Sequence, residues 1–293
     1  MELKYSNKEL HVAVKKGGMR LRDNLVCYYR KLDAGSKPPS GTIPAYLYPD
    51  DALTPFTMAG IPFNSARQAR AVLGYVQATK CVNEFSLEAI ESCNDAVLKE
   101  IYLCDRPNHS MAEAKPFTAR LSTDWIDMIR ITAYRFKFMQ NRDMMKALSS
   151  SDKAILCYAH INDKVDGVYM NDNQAYSANS PLEWKGENRS GRTLMMVRDE
   201  IGDIPFMLIT KNSDRPVEIL FRVKDQLLLP VYIEAGMKVM NIRSEAIEFE
   251  KGEDDLIRCL YYLERDKYKP YRVSALTRFL DNYPEAEVIY WRN

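Results

Sequence analysis

The chain has 293 residues, 46% of them hydrophobic and 28% charged, with a formal net charge of +1. That is enough apolar material for one large domain or two modest ones, and it excludes a strongly basic protein while leaving room for local basic patches. No apolar run approaches the roughly 18 residues of a membrane helix and the first residues lack a signal-peptide core, so a cytoplasmic protein with no membrane partner is expected.

Residues 1–40 hold nine Lys or Arg against four Asp or Glu, a local balance of +5. Leu10 to Val14 and Asn24 to Tyr29 are predicted as short strands around the turn Lys16-Gly17-Gly18, and a Gly/Ser/Pro-rich loop follows at 34–41. Helical spacing runs over Ser65–Ala78 and over Ser86–Leu103, where Leu87, Ile90, Val97 and Ile101 line a face. Asn108 to Lys115 reads as a loop. Ser122 or Thr123 caps a helix from Asp124 to about Gln140, with Trp125, Met128, Ile129, Ala133 and Phe136 inward. A helix at Asp143–Leu148, a strand at Ala154–Tyr158 and a helix at Arg192–Asp199 complete this part. After Gly202 the pattern changes. Strands are predicted at 206–210, 217–223 and 229–233, helices at 253–264 and 273–280, and a closing strand at Glu287–Trp291. The fold class is therefore α+β: a mainly helical domain with short strands over 1–202 and a separate α+β appendage over 203–293.

Six cysteines (Cys27, Cys81, Cys93, Cys104, Cys157 and Cys259) form no C-x-x-C pair, and the three histidines lie far apart in the chain. Free thiols are expected, and no metal or cofactor. The stretch richest in chemistry is Trp184-Lys185-Gly186-Glu187-Asn188-Arg189-Ser190-Gly191-Arg192, which runs into the apolar helical segment Thr193 to Arg198. A flat ring, cations and free backbone N–H groups at a loop-to-helix junction suit a phosphorylated ligand. A glycine-containing turn that caps a core helix is the plain alternative.

Upstream lie Lys137-Phe138-Met139-Gln140-Asn141 and then Ile155 to Gly167, which contains Leu156-Cys157-Tyr158, Asp163 and Asp166. In that order and at those spacings the segments resemble the NADAR family of riboflavin-pathway and ADP-ribosyl N-glycosidases. Its members read K-F-x-Q, then L-V-E-x-x-x-x-D-x-x-W-G, then G-x-N-x-x-G-x-x-L-M-x-x-R. The resemblance covers about Pro55 to Ile201. It implies the family's fold, a bacterial or phage-infected cytoplasm, and cleavage of a glycosidic C–N bond in a pocket of carboxylates and aromatic walls.

The chemistry at the matching positions departs from that pattern. The family's Ser/Thr-x-Glu-His glutamate falls at Arg67, a permanent cation that opposes positive charge growing on a ribosyl ring. The L-V-E glutamate falls at Tyr158 and the W-G tryptophan at Asp166. Asp163 and Asp166 remain as the catalytic carboxylates if hydrolysis survives. Arg67, Lys137, Gln140 and Trp184 are the expected ligand contacts, together with Lys185, Asn188, Arg189 and Arg192.

Basic and aromatic residues also interleave, as single-stranded nucleic acid requires, with cations on phosphates and rings on bases. Lys15, Lys16, Arg20 and Arg22 lead into Tyr28, Tyr29, Arg30 and Lys31, and a second group holds Lys267, Tyr268, Lys269, Tyr271 and Arg272. Three readings stand: a non-catalytic protein of this fold that binds single-stranded nucleic acid or a nucleotide, an active N-glycosidase on an ADP-ribosylated base or ribosylated nucleotide, and a structural or assembly protein that docks a protein partner through 203–293.

Overall fold

Helix caps decide most of the element boundaries. The computed structural model describes residues 3–18, 20–28, 48–151, 153–202, 217–240, 247–252, 255–262 and 283–292. Ser6 and Glu9 form a capping box that starts α1 (Asn7–Lys16), so the predicted strand at Leu10–Val14 is helix instead. Leu10 is buried while Val12 is 47% exposed, which is a helical rather than an alternating pattern. β1 (Leu25–Tyr28) follows and pairs in parallel with β4 (Ile155–Tyr158), Leu25 opposite Ile155 and Tyr28 opposite Tyr158. Between these two strands, among the described residues, run a short hairpin and six helices.

The hairpin joins β2 (Phe56–Met58) to β3 (Ile61–Phe63) through Ala59 and Gly60, both left-handed. Ser65 caps α2 (Ala66–Thr79). The helix predicted over 86–103 is two helices, α3 (Leu87–Ser92) and α4 (Ala96–Leu103), because Ser86 and Asp95 each accept a backbone N–H and start a new one. The predicted loop at 108–115 is helical, α5 (Pro107–Thr118), with Pro107 in its first turn. Ser122 caps α6 (Thr123–Gln140), and α7 (Arg142–Ser150) follows. After β4 come α8 (Asp172–Ser177) and α9 (Arg189–Gly202).

The C-terminal elements are β5 (Val217–Val223), α10 (Leu229–Met240), β6 (Ile247–Lys251), β7 (Leu256–Tyr261) and β8 (Ala286–Arg292). The strands form an antiparallel sheet in the order β6-β7-β5-β8. Two expectations fail here. The apolar run at 229–233 is the start of α10, since Pro230 is tolerated in a first turn. In place of the helix predicted over 253–264, its described part forms β7, paired on both sides and braced by Arg258, which reaches Glu218 at 2.5 Å and Glu250 at 2.8 Å. The strand predicted at 206–210 and the helix at 273–280 lie outside the described residues.

α6 is the spine. Ile129, Ala133 and Phe136 belong to one apolar cluster that also holds α2 and, from the C-terminal elements, Ile219, Phe221, Tyr232 and Tyr283. Ile131, Tyr134 and Phe138 belong to a second cluster with Leu10, Leu148, Leu156, Trp184 and Leu194. Trp125 meets Tyr283 edge to face at 5.4 Å, and Arg135 both lies over Tyr232 and forks onto Glu200 at 2.9 and 2.7 Å. All six cysteines carry free thiols. No helix among the described residues is long and apolar enough to cross a membrane.

Candidate functional site: a buried ladder of charge

The first turns of α2 bring Arg67 and Arg70, three residues apart, to one face. Arg67 reaches the carboxylate of Asp50 at 2.6 Å, and its backbone N–H donates to the Asp50 carbonyl at 2.7 Å. A second guanidinium nitrogen of Arg67 donates to Asn108 Oδ1. Arg70 pairs with the other oxygen of Asp50 and with Asp166, 3.3 Å away. Asp166 pairs in turn with Arg130, Arg130 with Asp127 at 2.9 Å, and Asp127 with Arg189 at 3.2 Å. The result is an alternating ladder, Arg67–Asp50–Arg70–Asp166–Arg130–Asp127–Arg189, that ties α2, α6 and the start of α9 together.

Four guanidinium groups face three carboxylates, and Asp51 adds its negative field at Arg67. Burial alone raises the Asp50 carboxyl, but Arg67 and Arg70 overcome it and hold the group well below the usual carboxylate range. Asp166 shifts the same way, burial being outweighed by Arg130 and Arg70. Both carboxylates are ionised and engaged. A base so stabilised is weak, and the cations around it disfavour an oxocarbenium-like sugar.

The junction ahead of α9 is closed by backbone. The N–H groups of Glu187, Asn188, Arg189 and Ser190 donate to the carbonyls of Lys164, Gly167, Val165 and Asp166 at 2.8–3.1 Å. The donors expected to face a phosphate are therefore satisfied within the protein. Asn188, left-handed and fully buried, accepts from Tyr158 N and donates to Leu156 O, each at 2.9 Å, and so pins β4 to α9. A Cβ on Gly191 would lie 2.2 Å from the Leu156 carbonyl, which explains the glycine.

The remaining expected contacts are mostly structural. Lys137 is completely buried and donates to the Pro49 carbonyl at 2.6 Å; burial, opposed by Asp50 and Asp51, pulls its ammonium down to about 7. Gln140 is bonded to both the N–H and the C=O of Thr57. Arg189 is held by Glu187 as well as Asp127, and Arg192 donates to the carbonyls of Leu3 and Lys4. Trp184 is buried, and its Nε1–H meets no acceptor among the described residues. Lys185 is exposed. Asp163 accepts from the N–H of Val165 at 3.0 Å and of Asp166 at 2.7 Å, shaping a turn instead of opposing the Asp166 carboxylate. The expected catalytic pair is thus a turn former and a ladder rung.

Tyr28 is a correction. It is fully buried, stacked on Tyr158 at 5.3 Å, and donates to Ser190, which also bonds Tyr134 at 2.6 Å, so no face of it is open to a base. Lys15, Lys16, Arg20 and Arg22 are exposed, Arg22 lying 3.9 Å from Asp23. Tyr29, Arg30, Lys31, Lys267, Tyr268, Lys269, Tyr271 and Arg272 lie outside the described residues. Asp50, Arg70, Asp127 and Arg130 were not anticipated. The signal was present in Asp127 and Arg130, an i,i+3 pair of opposite charge between the apolar positions Met128, Ile129 and Ile131 of α6. A groove of about 680 Å³ between α10 and the β6 edge, lined by Leu229, Ile233, Met237 and Phe249, shares no residue with the ladder.

The NADAR domain family model matches residues 55–202, which includes Arg67, the ladder from Arg70 to Arg189, and α9. A protein of Acanthamoeba polyphaga mimivirus named as an N-glycosidase is 37% identical over 67 residues, covering 22% of this chain and 38% of that protein. The NMR structure of the E. coli protein YbiA covers 62% of this chain and 91% of its own, at 15% identity and a TM-score of 0.41.

Proposed function

The chain belongs to the NADAR domain family, and from that premise we propose that it is a non-hydrolytic member that binds single-stranded nucleic acid. The observation that supports the first half is Arg67. It stands where the family's glutamate is expected, and its guanidinium is tied to the buried Asp50 and to Asn108. An arginine cannot take up a proton, so it cannot serve as base or nucleophile. Asp50, the nearest carboxylate, is held between two guanidinium groups.

Surface charge supports the second half. Lys15, Lys16, Arg20 and Arg22 are exposed within eight residues of chain, on a surface rather than in a closed pocket. That favours a polymer over a free nucleotide, because a row of cations is matched by a row of phosphates. Neutralising four phosphates of a single strand gives a salt slope of about −0.7 per phosphate, so affinity falls about fifty-fold when salt rises about fourfold. Fluorescence anisotropy of a labelled single-stranded oligonucleotide measures this. Charge reversal at Lys15 and Lys16 together is expected to flatten the slope by about 1.4. Salt-independent binding, or none at micromolar protein, removes the reading.

N-glycosidase activity on an ADP-ribosylated base is the second reading, favoured by the name of the mimivirus relative. With Asp163 and Asp166 as its carboxylates, it needs Asp163 to give up its turn or Asp166 to leave the ladder when substrate enters. Hydrolysis by the unmodified chain is its test.

A further inference from the structure

α4 and α5 place a histidine and two glutamates together on the surface. Glu100 lies in the last turn of α4, and His109 and Glu113, four residues apart, share one face of α5. His109 Nε2 is 2.9 Å from Glu100 Oε1, and one ligand atom from each of the three residues lies within 4.8 Å of the others. We propose that Glu100, His109 and Glu113 bind a divalent transition-metal ion, with zinc as the reference ion.

The geometry needs little change. Ligand bonds of about 2.0–2.2 Å to a tetrahedral ion put its ligands about 3.3–3.5 Å apart, so the His109–Glu100 pair at 2.9 Å opens slightly while Glu113 moves in from within 4.8 Å. His109 is 35% and Glu100 52% exposed at the side chain, which leaves both free to rotate. The charge also fits. Two carboxylates that repel each other across the cluster are neutralised by one divalent ion. The imidazole selects zinc, nickel or copper over magnesium and calcium, which prefer all-oxygen sites. Three protein ligands leave a fourth position for water or a ligand atom.

The site adjoins the ladder without being part of it. Asn108, the residue before His109, accepts from Arg67. An ion bound here fixes the first turn of α5 and so holds Asn108 against that guanidinium. A simple His109–Glu100 ion pair is the plainer account, and it gives Glu113 no role.

Zinc titration of the chelator-stripped full chain by calorimetry tests the proposal, with cobalt(II) absorption as a second readout. The expected result is one zinc per chain, with affinity lowered at least about tenfold by His109→Ala or by the milder Glu113→Gln. Cys104→Ser should leave binding unchanged, and the cobalt spectrum should lack a thiolate charge-transfer band. Lack of zinc uptake at micromolar protein overturns the proposal. So does an affinity indifferent to both ligand substitutions, or a thiolate band that disappears in Cys104→Ser.

Discussion

Lys137 carries the sharpest consequence at the scale of single residues. Its ammonium sits in the core against the Pro49 carbonyl and titrates near 7 in the folded chain. In the unfolded chain it keeps its proton to about 10.4. Between those limits the unfolded state binds more protons, so stability rises with pH, by up to about 1.4 kcal/mol per unit from this group. Urea unfolding at pH 7 and pH 8 should show that rise, and Lys137→Met should flatten it. An identical slope in both proteins contradicts the assignment. Asp50 and Asp166 have the same sign in a more acidic window, since their folded values are also depressed. Their stabilisation is complete above about pH 4 and is lost as pH falls toward the folded values. Asp50→Asn removes the carboxylate shared by Arg67 and Arg70 and leaves Arg70 with Asp166 alone, and loss of one partner from a buried pair costs about 3–5 kcal/mol. The urea midpoint should drop accordingly, and adding Arg67→Gln should recover part of the loss.

At the scale of elements, the junction before α9 acts as a clasp. Gly191→Ala forces a methyl group onto the Leu156 carbonyl and the Asn188 amide. A loss of about 1–3 kcal/mol is expected, at the upper end because backbone is struck, with the denaturant slope unchanged. This clasp was legible in the sequence as a glycine-rich junction, but its purpose was not. Backbone N–H groups look free in a sequence, and the carbonyls of 164–167 that satisfy them come from a loop some 20 residues earlier. Caps explain two other differences. Asp95 divides one predicted helix in two, and Ser6 with Glu9 turns a predicted strand into α1. Reading 108–115 as a loop also hid the one-face spacing of His109 and Glu113, which exists only once α5 is helical. By contrast α2, α6, β1 and β4 were legible, because an apolar stripe or a short apolar run fixes them locally.

For the whole molecule, the sheet and α10 pack onto the α6 spine. Ile219, Phe221 and Tyr232 share a cluster with Ala133 and Phe136, and Trp125 meets Tyr283. Calorimetry should therefore give one cooperative transition for the full chain, and Tyr232→Ala should shift all of it. Two resolved transitions, one insensitive to that substitution, would show that the C-terminal elements unfold alone. The ladder was beyond sequence reading at this scale, because its rungs come from residues 50 to 189 and only folding brings them together. It is also what the functional account rests on. The decisive measurement follows free base released from an ADP-ribosylated base by the unmodified chain, beside an active N-glycosidase of the same family. No product above background over hours is the result predicted by the proposal that Arg67 replaces the family's carboxylate. Turnover that Asp166→Asn abolishes would contradict it.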